Sequence, residues 1–149
     1  MKVIIKQAER SDIPEISKLF DAYRIFYRQE SNLELASKFL TERINNSESV
    51  IFLAITNENE YIGFTQLYPS FSSVSAEPTW ILNDLYVDDN ARGKSVGKKL
   101  LKRAKEFAIE TNVKGIALST AKTNDNAQRL YKDLGYEKDV EFYHYFLTL

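Results

Sequence analysis

Apolar residues along the 149-residue chain repeat with two periods, one typical of helices and one of strands. A spacing of three or four positions predicts four helices, at residues 13–28, 31–44, 96–112 and 124–134. We expect Ser11 to be the N-cap of the first helix. The pair Ser31 and Glu34 forms a capping-box pattern, which predicts the start of the second helix. Gly135 is placed to end the fourth.

The remaining apolar runs predict strands, at residues 3–8, 49–56, 61–68, 79–87, 115–119 and 142–149. The run 79–87 has apolar residues on both faces, with Trp80, Leu82 and Tyr86 together on one of them, which is typical of a central strand. The order of elements predicts an α/β three-layer sandwich on a mixed sheet. We expect one domain over residues 1–149.

Composition excludes several classes of protein. The chain has no cysteine, so it lacks the residues for a disulfide framework or a thiolate metal site. Its single histidine, His144, leaves almost nothing for a zinc enzyme or a Ser-His-Asp hydrolase. The longest apolar run, Val50 to Ile55, is too short to cross a bilayer. The apolar stretch at the start of the chain is too short for a signal peptide. The sequence therefore predicts a cytoplasmic protein without metal or membrane partner.

Charge is concentrated in one segment. Residues 92–105 carry seven basic side chains and no acid, whereas residues 1–91 carry eight basic and fourteen acidic ones. This basic segment is either a solvated helix face or the site of a polyanionic ligand. Nucleic-acid binding requires a wider basic footprint, so an anion with a few phosphates fits better.

The basic segment follows the predicted central strand. The strand end, Leu85-Tyr86-Val87, leads through a short loop into the first turn of a helix, where backbone N–H groups are unpaired and the helix dipole is positive. Gly93 and Gly97 allow an anion to approach the backbone closely. The segment thus has the features of a phosphate or pyrophosphate site.

This segment has features of two families of phosphate loop. Gly93-Lys94-Ser95 copies the end of a P-loop, but the first P-loop glycine would fall at Asp88, where an acid would repel a nucleotide. Arg92-x-x-Ser95-x-Gly97 instead resembles the [QR]-x-x-G-x-[GA] pyrophosphate loop of the GNAT superfamily of acyl-CoA-dependent N-acyltransferases. Ser95 departs from that pattern, and it can add a hydroxyl donor provided that its φ is negative.

A second segment supports the resemblance. Asn124-x-x-Ala127-x-x-Leu130-Tyr131-x-x-x-Gly135-Tyr136 resembles the N-x-x-A-x-x-[LF]-Y-x-x-x-G-[FY] signature of the same superfamily, and the order of elements matches over essentially the whole chain. The resemblance implies a mixed, mostly antiparallel sheet flanked by helices, with a fourth strand that splays from the fifth.

The resemblance also implies an activity: direct transfer of an acetyl group from acetyl-CoA to a primary amine in a ternary complex, without a metal. A catalytically idle acyl-CoA-binding module is the alternative, and a homodimer is left open. The residues that the resemblance assigns to the co-substrate are Leu85, Tyr86, Val87, Arg92, Gly93, Lys94, Ser95, Val96, Gly97, Lys98, Asn124, Ala127 and Tyr131.

Three side chains have implied catalytic or binding roles, each with a structural alternative. Tyr131 would donate a proton to the departing sulfur, although its helix face also suits a core position. Backbone amides near Tyr86 and Val87 would polarise the carbonyl. Asp84 is a candidate general base, because burial can make a carboxylate a stronger base. Alternatively, its hydrogen bonds hold a strand irregularity in place. Ordered water is a further route for the proton of the amine. Asn124 would bind the pantetheine amide, cap its helix, or do both.

The acceptor site is expected between the first two helices and the edge of the third strand. Aromatic and acidic residues in those segments suit a cationic amine, although such aromatic stripes are more often core. The candidates are Tyr23, Tyr27, Glu30 and Tyr68. Residues 19–27 and 80–85 resemble the histone and polyamine acetyltransferase branch. Polyamine, amino acid, lysine side chain and aminoglycoside all remain open as acceptors.

Overall fold

A computed structural model describes residues 2–149, which divide into a unit ending at Ser119 and a second unit, Thr120–Leu149. The first unit holds a five-stranded sheet whose strands lie side by side in chain order. The strands are β1 (Val3–Gln7), β2 (Val50–Thr56), β3 (Tyr61–Ser72), β4 (Glu77–Val87) and β5 (Ile116–Ala117). Neighbours from β1 to β4 are antiparallel, and β4 and β5 are parallel. The predicted mixed, mostly antiparallel sheet is confirmed.

Three helices of the first unit cover the two faces of this sheet. They are α1 (Ile13–Phe26), α2 (Leu33–Asn45) and α3 (Val96–Glu110). Phe20 of α1 and Leu40 of α2 pack in one buried cluster with Leu53 of β2. The neighbouring residue Phe52 points the other way, and its ring lies 5.4 Å from that of Phe107 in α3. Successive side chains of β2 therefore pack on opposite faces of the sheet, each against its own layer of helices, which gives the predicted three layers.

Strand β4 contains a bulge that changes which side chains share a face. Gln66 pairs with Asp84, but Leu67 pairs with Leu82, so Asn83 is an extra residue in β4. Trp80 lies on the α3 face, with its ring 5.3 Å from Phe107. After the bulge, Tyr86 lies in the cluster under α1 and α2. The prediction that Trp80, Leu82 and Tyr86 share one face is therefore wrong for Tyr86.

The starts of α1 and α2 differ from prediction. Asp12, not Ser11, precedes α1, because residues 10–12 form a short 3₁₀ turn. Asn32 is the N-cap of α2, with its side chain accepting a hydrogen bond from the first turn. The Ser31 hydroxyl instead donates to the buried Asp21 carboxylate at 2.6 Å. The predicted capping box is wrong because a tertiary acceptor competes for the serine.

The second unit contains the helix α4 (Asp125–Asp133). Asn124 is its N-cap and accepts from the Ala127 N–H at 3.2 Å, as predicted. Gly135 follows the helix with a φ of 97°, a conformation that favours glycine, and Tyr136 N–H donates to the Tyr131 carbonyl. Residues 142–149 form no strand, so the predicted last strand is wrong. Alternating apolar residues alone do not supply the neighbouring strand that a backbone ladder needs.

Gly63 allows the close approach of β3 to the end of β4, and this contact can be tested. A Cβ at Gly63 would lie 2.9 Å from the Tyr86 carbonyl oxygen and 3.4 Å from Leu100 Cδ1. We expect Gly63→Ala to lower the free energy of unfolding by about 1–3 kcal/mol, because the packed strand must move. Urea denaturation measures this change.

Gly115→Ala is the matched control, since a Cβ there would have no heavy atom within 4 Å apart from its own residue and its two chain neighbours. Its free energy of unfolding should stay within about 0.5 kcal/mol of the parent protein. Equal losses in both variants would show that the Tyr86 contact is not the cause.

Candidate active site

Strand β4 has an open edge where its pairing with β5 ends. Parallel pairing joins Trp80 to Ile116 and Ile81 to Ala117, and β4 then continues to Val87 without β5 beside it. Because β5 ends at Ala117, it does not flank the last residues of β4. The splay of the two strands that the resemblance implies stays a prediction. An unpaired strand edge exposes backbone donors and acceptors, which suits an extended ligand with amide groups.

The direction of the backbone groups follows from the pairing with β3. The Asp88 N–H donates to the Ile62 carbonyl at 2.8 Å. Because N–H directions alternate along a strand, the backbone N–H of Tyr86 also points to β3. The backbone N–H groups of Leu85 and Val87 point to the open edge. Of the three predicted strand residues, Leu85 and Val87 thus present backbone groups there, while the Tyr86 ring lies in the α1 cluster.

Helix α3 begins close to this edge with unpaired donors. The Ser95 carbonyl accepts from Lys99 N–H, but Val96, Gly97 and Lys98 N–H have no acceptor among residues 2–149. No side chain caps the helix, and its first turn contains no acid. The Val96 side chain is buried, so only its backbone is available. Three free N–H groups at the positive end of a helix fit a phosphate or pyrophosphate group.

The loop before α3 keeps a left-handed conformation at two positions. Gly93 has a φ of 77°, and Ser95 has a φ of 62° and a ψ of 20°. The condition of a negative φ at Ser95 is therefore not met. Ser95 retains the backbone conformation that glycine adopts without strain, and its hydroxyl makes no capping bond.

The Arg92 side chain does not extend toward the free N–H groups of α3. Its Nε donates to the Val87 carbonyl at 2.9 Å, and its Nη1 lies 2.7 Å from Asp89 Oδ1. The guanidinium is thus bonded to the end of β4. Lys94 and Lys98 are exposed on the same segment, and neither forms an ion pair within residues 2–149.

Asp84 is a buried acid at the bulge. Its Oδ2 accepts from Gln66 Nε2 at 2.6 Å, and its Oδ1 accepts from Asn83 Nδ2 at 3.1 Å. Because the bulge reverses the strand faces, this carboxylate lies on the side of α1 and α2. The same hydrogen bonds hold the extra residue in place, so both predicted roles, base and structural tie, stay open.

Two of the predicted acceptor-site tyrosines surround Asp84. Burial raises the pKa of Tyr23, and the charge and hydrogen bond of Asp84 raise it further. Burial, with the charge of Asp84, raises the pKa of Tyr68 to about 12, although Arg43 opposes this. Both phenols therefore remain neutral donors at physiological pH. The Tyr27 ring lies 5.0 Å from that of Tyr23 and is half exposed.

Other acceptor-side residues differ from the sequence prediction. Glu30 is exposed, and its backbone carbonyl, not its carboxylate, accepts from Arg24 Nη1. An open depression of about 350 Å³ beside Tyr68 is lined also by Phe39, Arg43 and Glu48. These three were missed, because their approach to Tyr68 depends on how α2 packs on β3.

In the second unit, Tyr131 packs against Tyr136 with ring centroids 5.7 Å apart. Burial raises the pKa of Tyr136 to about 12, with a smaller contribution from the charge of the neighbouring Tyr131 phenol. The Asn124 side chain is occupied as the cap of α4, and the role that the resemblance assigns to it stays a prediction.

Within residues 2–149, the protein offers neither a metal-binding cluster nor a membrane-spanning helix. Over residues 2–149, no group of three or more His, Cys, Asp or Glu side chains is arranged to hold a metal ion. In the same part of the chain, every helix is too short or too polar to traverse a bilayer.

Comparison with known proteins identifies the class of enzyme. The model of the Acetyltransferase (GNAT) family matches residues 13–136. The chain belongs to the GNAT family of acetyltransferases, whose members use acetyl-CoA.

Particular relatives agree with this assignment. The chain is similar to an uncharacterized N-acetyltransferase of Bacillus subtilis, YhfO, with 49% identity over 97% of each chain. A crystal structure of a probable acetyltransferase is 41% identical, covers 100% of this chain and 98% of its own, and has a TM-score of 0.92. A predicted acetyltransferase of Clostridium acetobutylicum, solved with acetyl-CoA, has a TM-score of 0.77 over 97% of this chain and 96% of its own; at 18% identity it shows the fold alone.

The left-handed conformation of Ser95 gives a stability prediction. Ser95→Gly should be more stable than Ser95→Ala by about 1 kcal/mol, because this conformation costs a residue with a Cβ about 1–2 kcal/mol. Glycine's greater freedom in the unfolded chain offsets part of the gain. The free energies of unfolding of both variants in urea measure the difference. An alanine variant as stable as the glycine variant would contradict the positive φ.

The effect of Asp84 on Tyr68 gives a pH prediction. Removing the negative charge in Asp84→Asn should lower the pKa of Tyr68 from about 12 toward the ordinary phenol value. NMR of ¹³Cζ-labelled tyrosine up to about pH 11 follows the titration, with Tyr68→Phe to assign the signal. Glu58→Gln, in the turn after β2, is the control and should leave Tyr68 unchanged. An unchanged pKa in Asp84→Asn would show that the two groups are not coupled.

Proposed function

We propose that this protein transfers an acetyl group from acetyl-CoA to a primary amine, carried by a small molecule or a peptide, by direct attack in a ternary complex. The observation that carries the proposal is the presence of two neighbouring sets of backbone N–H groups without an acceptor among residues 2–149, one on the open edge of β4 and one in the first turn of α3. An extended amide-containing arm followed by a pyrophosphate matches these two sets.

Binding would use the backbone more than side chains. The N–H groups of Val96, Gly97 and Lys98 would hold the pyrophosphate, with Gly93 and Ser95 shaping the loop and Lys94 adding charge. Leu85 and Val87 would hydrogen-bond the pantetheine arm. Bound acetyl-CoA supplies an activated acetyl thioester. The Val87 N–H would polarise its carbonyl as an oxyanion-hole donor.

Asp84 would accept the proton of the attacking amine, directly or through water. Its place on the α1 and α2 side of β4 would put it beside the acceptor, and neutral Tyr23 and Tyr68 would orient the amine by hydrogen bonds. Tyr27 and Glu30 would contact the rest of the acceptor. Tyr131 would then protonate the leaving sulfur, with Asn124 and Ala127 at the start of its helix binding the pantetheine arm.

The remaining expectations belong to the same proposal. Residues 1–149 would act as one catalytic domain, in the cytoplasm and as a homodimer. Co-purification of the two units after limited proteolysis tests the first expectation, and light scattering tests the assembly.

An amine screen tests the activity. The protein is incubated with acetyl-CoA and a panel of polyamines, free amino acids, lysine peptides and aminoglycosides, with thiol release and product mass recorded. Acetylated product in at least one class supports the proposal. Tight CoA binding with no product from any class would favour the idle acyl-CoA-binding module.

Replacing Tyr131 tests the proton donor. Tyr131→Phe keeps the ring contact with Tyr136 but removes the hydroxyl, so turnover should fall by at least about tenfold while acetyl-CoA affinity changes little. Pre-steady-state acetyl transfer measures the chemical step, since product release can hide a defect. Tyr136→Phe is the matched control in the same ring pair and should keep near-normal turnover. Normal chemistry in Tyr131→Phe would leave this tyrosine a packing role only.

A further inference from the structure

The Arg92 guanidinium contacts four residues of the first unit, in β4, in the loop after β4 and in α1. Its Nε donates to the Val87 carbonyl, and its Nη1 pairs with Asp89. Its Cζ lies 5.5 Å from the centroid of the Phe26 ring and 5.7 Å from that of the Tyr86 ring. Both distances are within the range of cation–π attraction. The side chain is therefore oriented by two polar partners and two rings.

These contacts leave Arg92 poorly suited to binding a phosphate. Its charge is already paired with Asp89, and its Nε–H is used by the Val87 carbonyl. Lys94 and Lys98, in contrast, are exposed on the same segment and form no ion pair among residues 2–149. Charge attraction to the phosphates can therefore come from the lysines without Arg92.

The Val87 carbonyl lies on the open edge of β4, the edge that the proposed function assigns to the pantetheine arm. Val87 is the last residue of β4, where no β5 residue restrains it. The Asp88 N–H of the same peptide donates to the Ile62 carbonyl of β3, and Arg92 gives this peptide its second anchor, on the side that faces the open edge.

We propose that Arg92 is a positioning residue: it fixes the open end of β4 for the pantetheine arm and does not bind the phosphates. This inference rests on the proposed function. Phe26 connects the same guanidinium to the last turn of α1, so the cofactor strand and the acceptor helix share one anchor. Arginine is required because lysine has neither the Nε–H nor the planar face that these contacts use.

Two ligands separate positioning from phosphate binding. CoA contains the pantetheine arm and the phosphates, whereas adenosine 3′-phosphate 5′-diphosphate contains only the phosphates and the nucleoside. Calorimetric titration of each ligand into Arg92→Gln should show CoA affinity reduced by about tenfold, an effect typical of a lost charged hydrogen bond. Affinity for the nucleotide fragment should remain within about twofold of the parent protein.

A conservative variant and a ring variant sharpen the test. Arg92→Lys should lose CoA affinity as Arg92→Gln does, although it keeps the positive charge. Phe26→Leu removes one ring but leaves the Val87 hydrogen bond, so it should give a smaller loss for CoA and none for the fragment. Both variants keep the inference testable if Arg92→Gln fails to fold.

Arg103→Gln is the matched control. Arg103 also pairs with acids, Glu106 and Glu110, and lies over a ring, that of Phe52, but it does not contact β4's open end. Arg103→Gln should change neither the affinity for CoA nor the affinity for the nucleotide fragment. Equal losses of CoA and fragment in Arg92→Gln, or full affinity in Arg92→Lys, would overturn the positioning role. Parent protein that binds neither ligand would instead overturn the proposed function.

Discussion

The early end of β5, which leaves the last residues of β4 unpaired on one edge, is the constraint on which the site depends. After Ile81, the edge of β4 has lost its neighbour, and the peptide groups of Leu85 and Val87 must find partners elsewhere. An unpaired edge normally invites pairing with another chain. Here, the end of the edge is held by Arg92, and a loop of residues 88–95 leads from it to the uncapped first turn of α3. A single geometrical feature thus provides both the arm-binding edge and the adjoining anion site.

A second feature, the bulge at Asn83, determines which side of the sheet carries the acid. Without the extra residue, Asp84 would continue the alternation of Trp80 and Leu82 and point toward α3. With it, the carboxylate lies among Gln66, Tyr23 and Tyr68, on the side of α1 and α2. The hydrogen bonds from Asn83 and Gln66 stabilise this arrangement. The bulge therefore links strand geometry to the proposed chemistry.

The sequence predicts features that depend on local chemistry. Helical spacing gave α1 and α3, the asparagine before α4 is its cap, and the glycine-containing basic turn is a helix start with free N–H groups. Features set by tertiary partners were not predictable. Ser31 is diverted to Asp21, the Arg92 side chain turns back to β4, and residues 142–149 have the alternation of a strand without pairing as one. At Ser95, the sequence departs from the family pattern but the backbone does not, because the serine adopts the left-handed conformation that favours glycine.

We expect CoA to bind through backbone groups of the open edge of β4 and the first turn of α3. ¹H–¹⁵N NMR spectra of the labelled protein, recorded as CoA is added, report on these groups one by one. The largest downfield shifts should fall on the amides of Val96, Gly97 and Lys98, with Leu85 and Val87 also shifted and Tyr86 moved less. Shifts confined to side chains of the basic segment, with these five amides unchanged, would contradict this expectation.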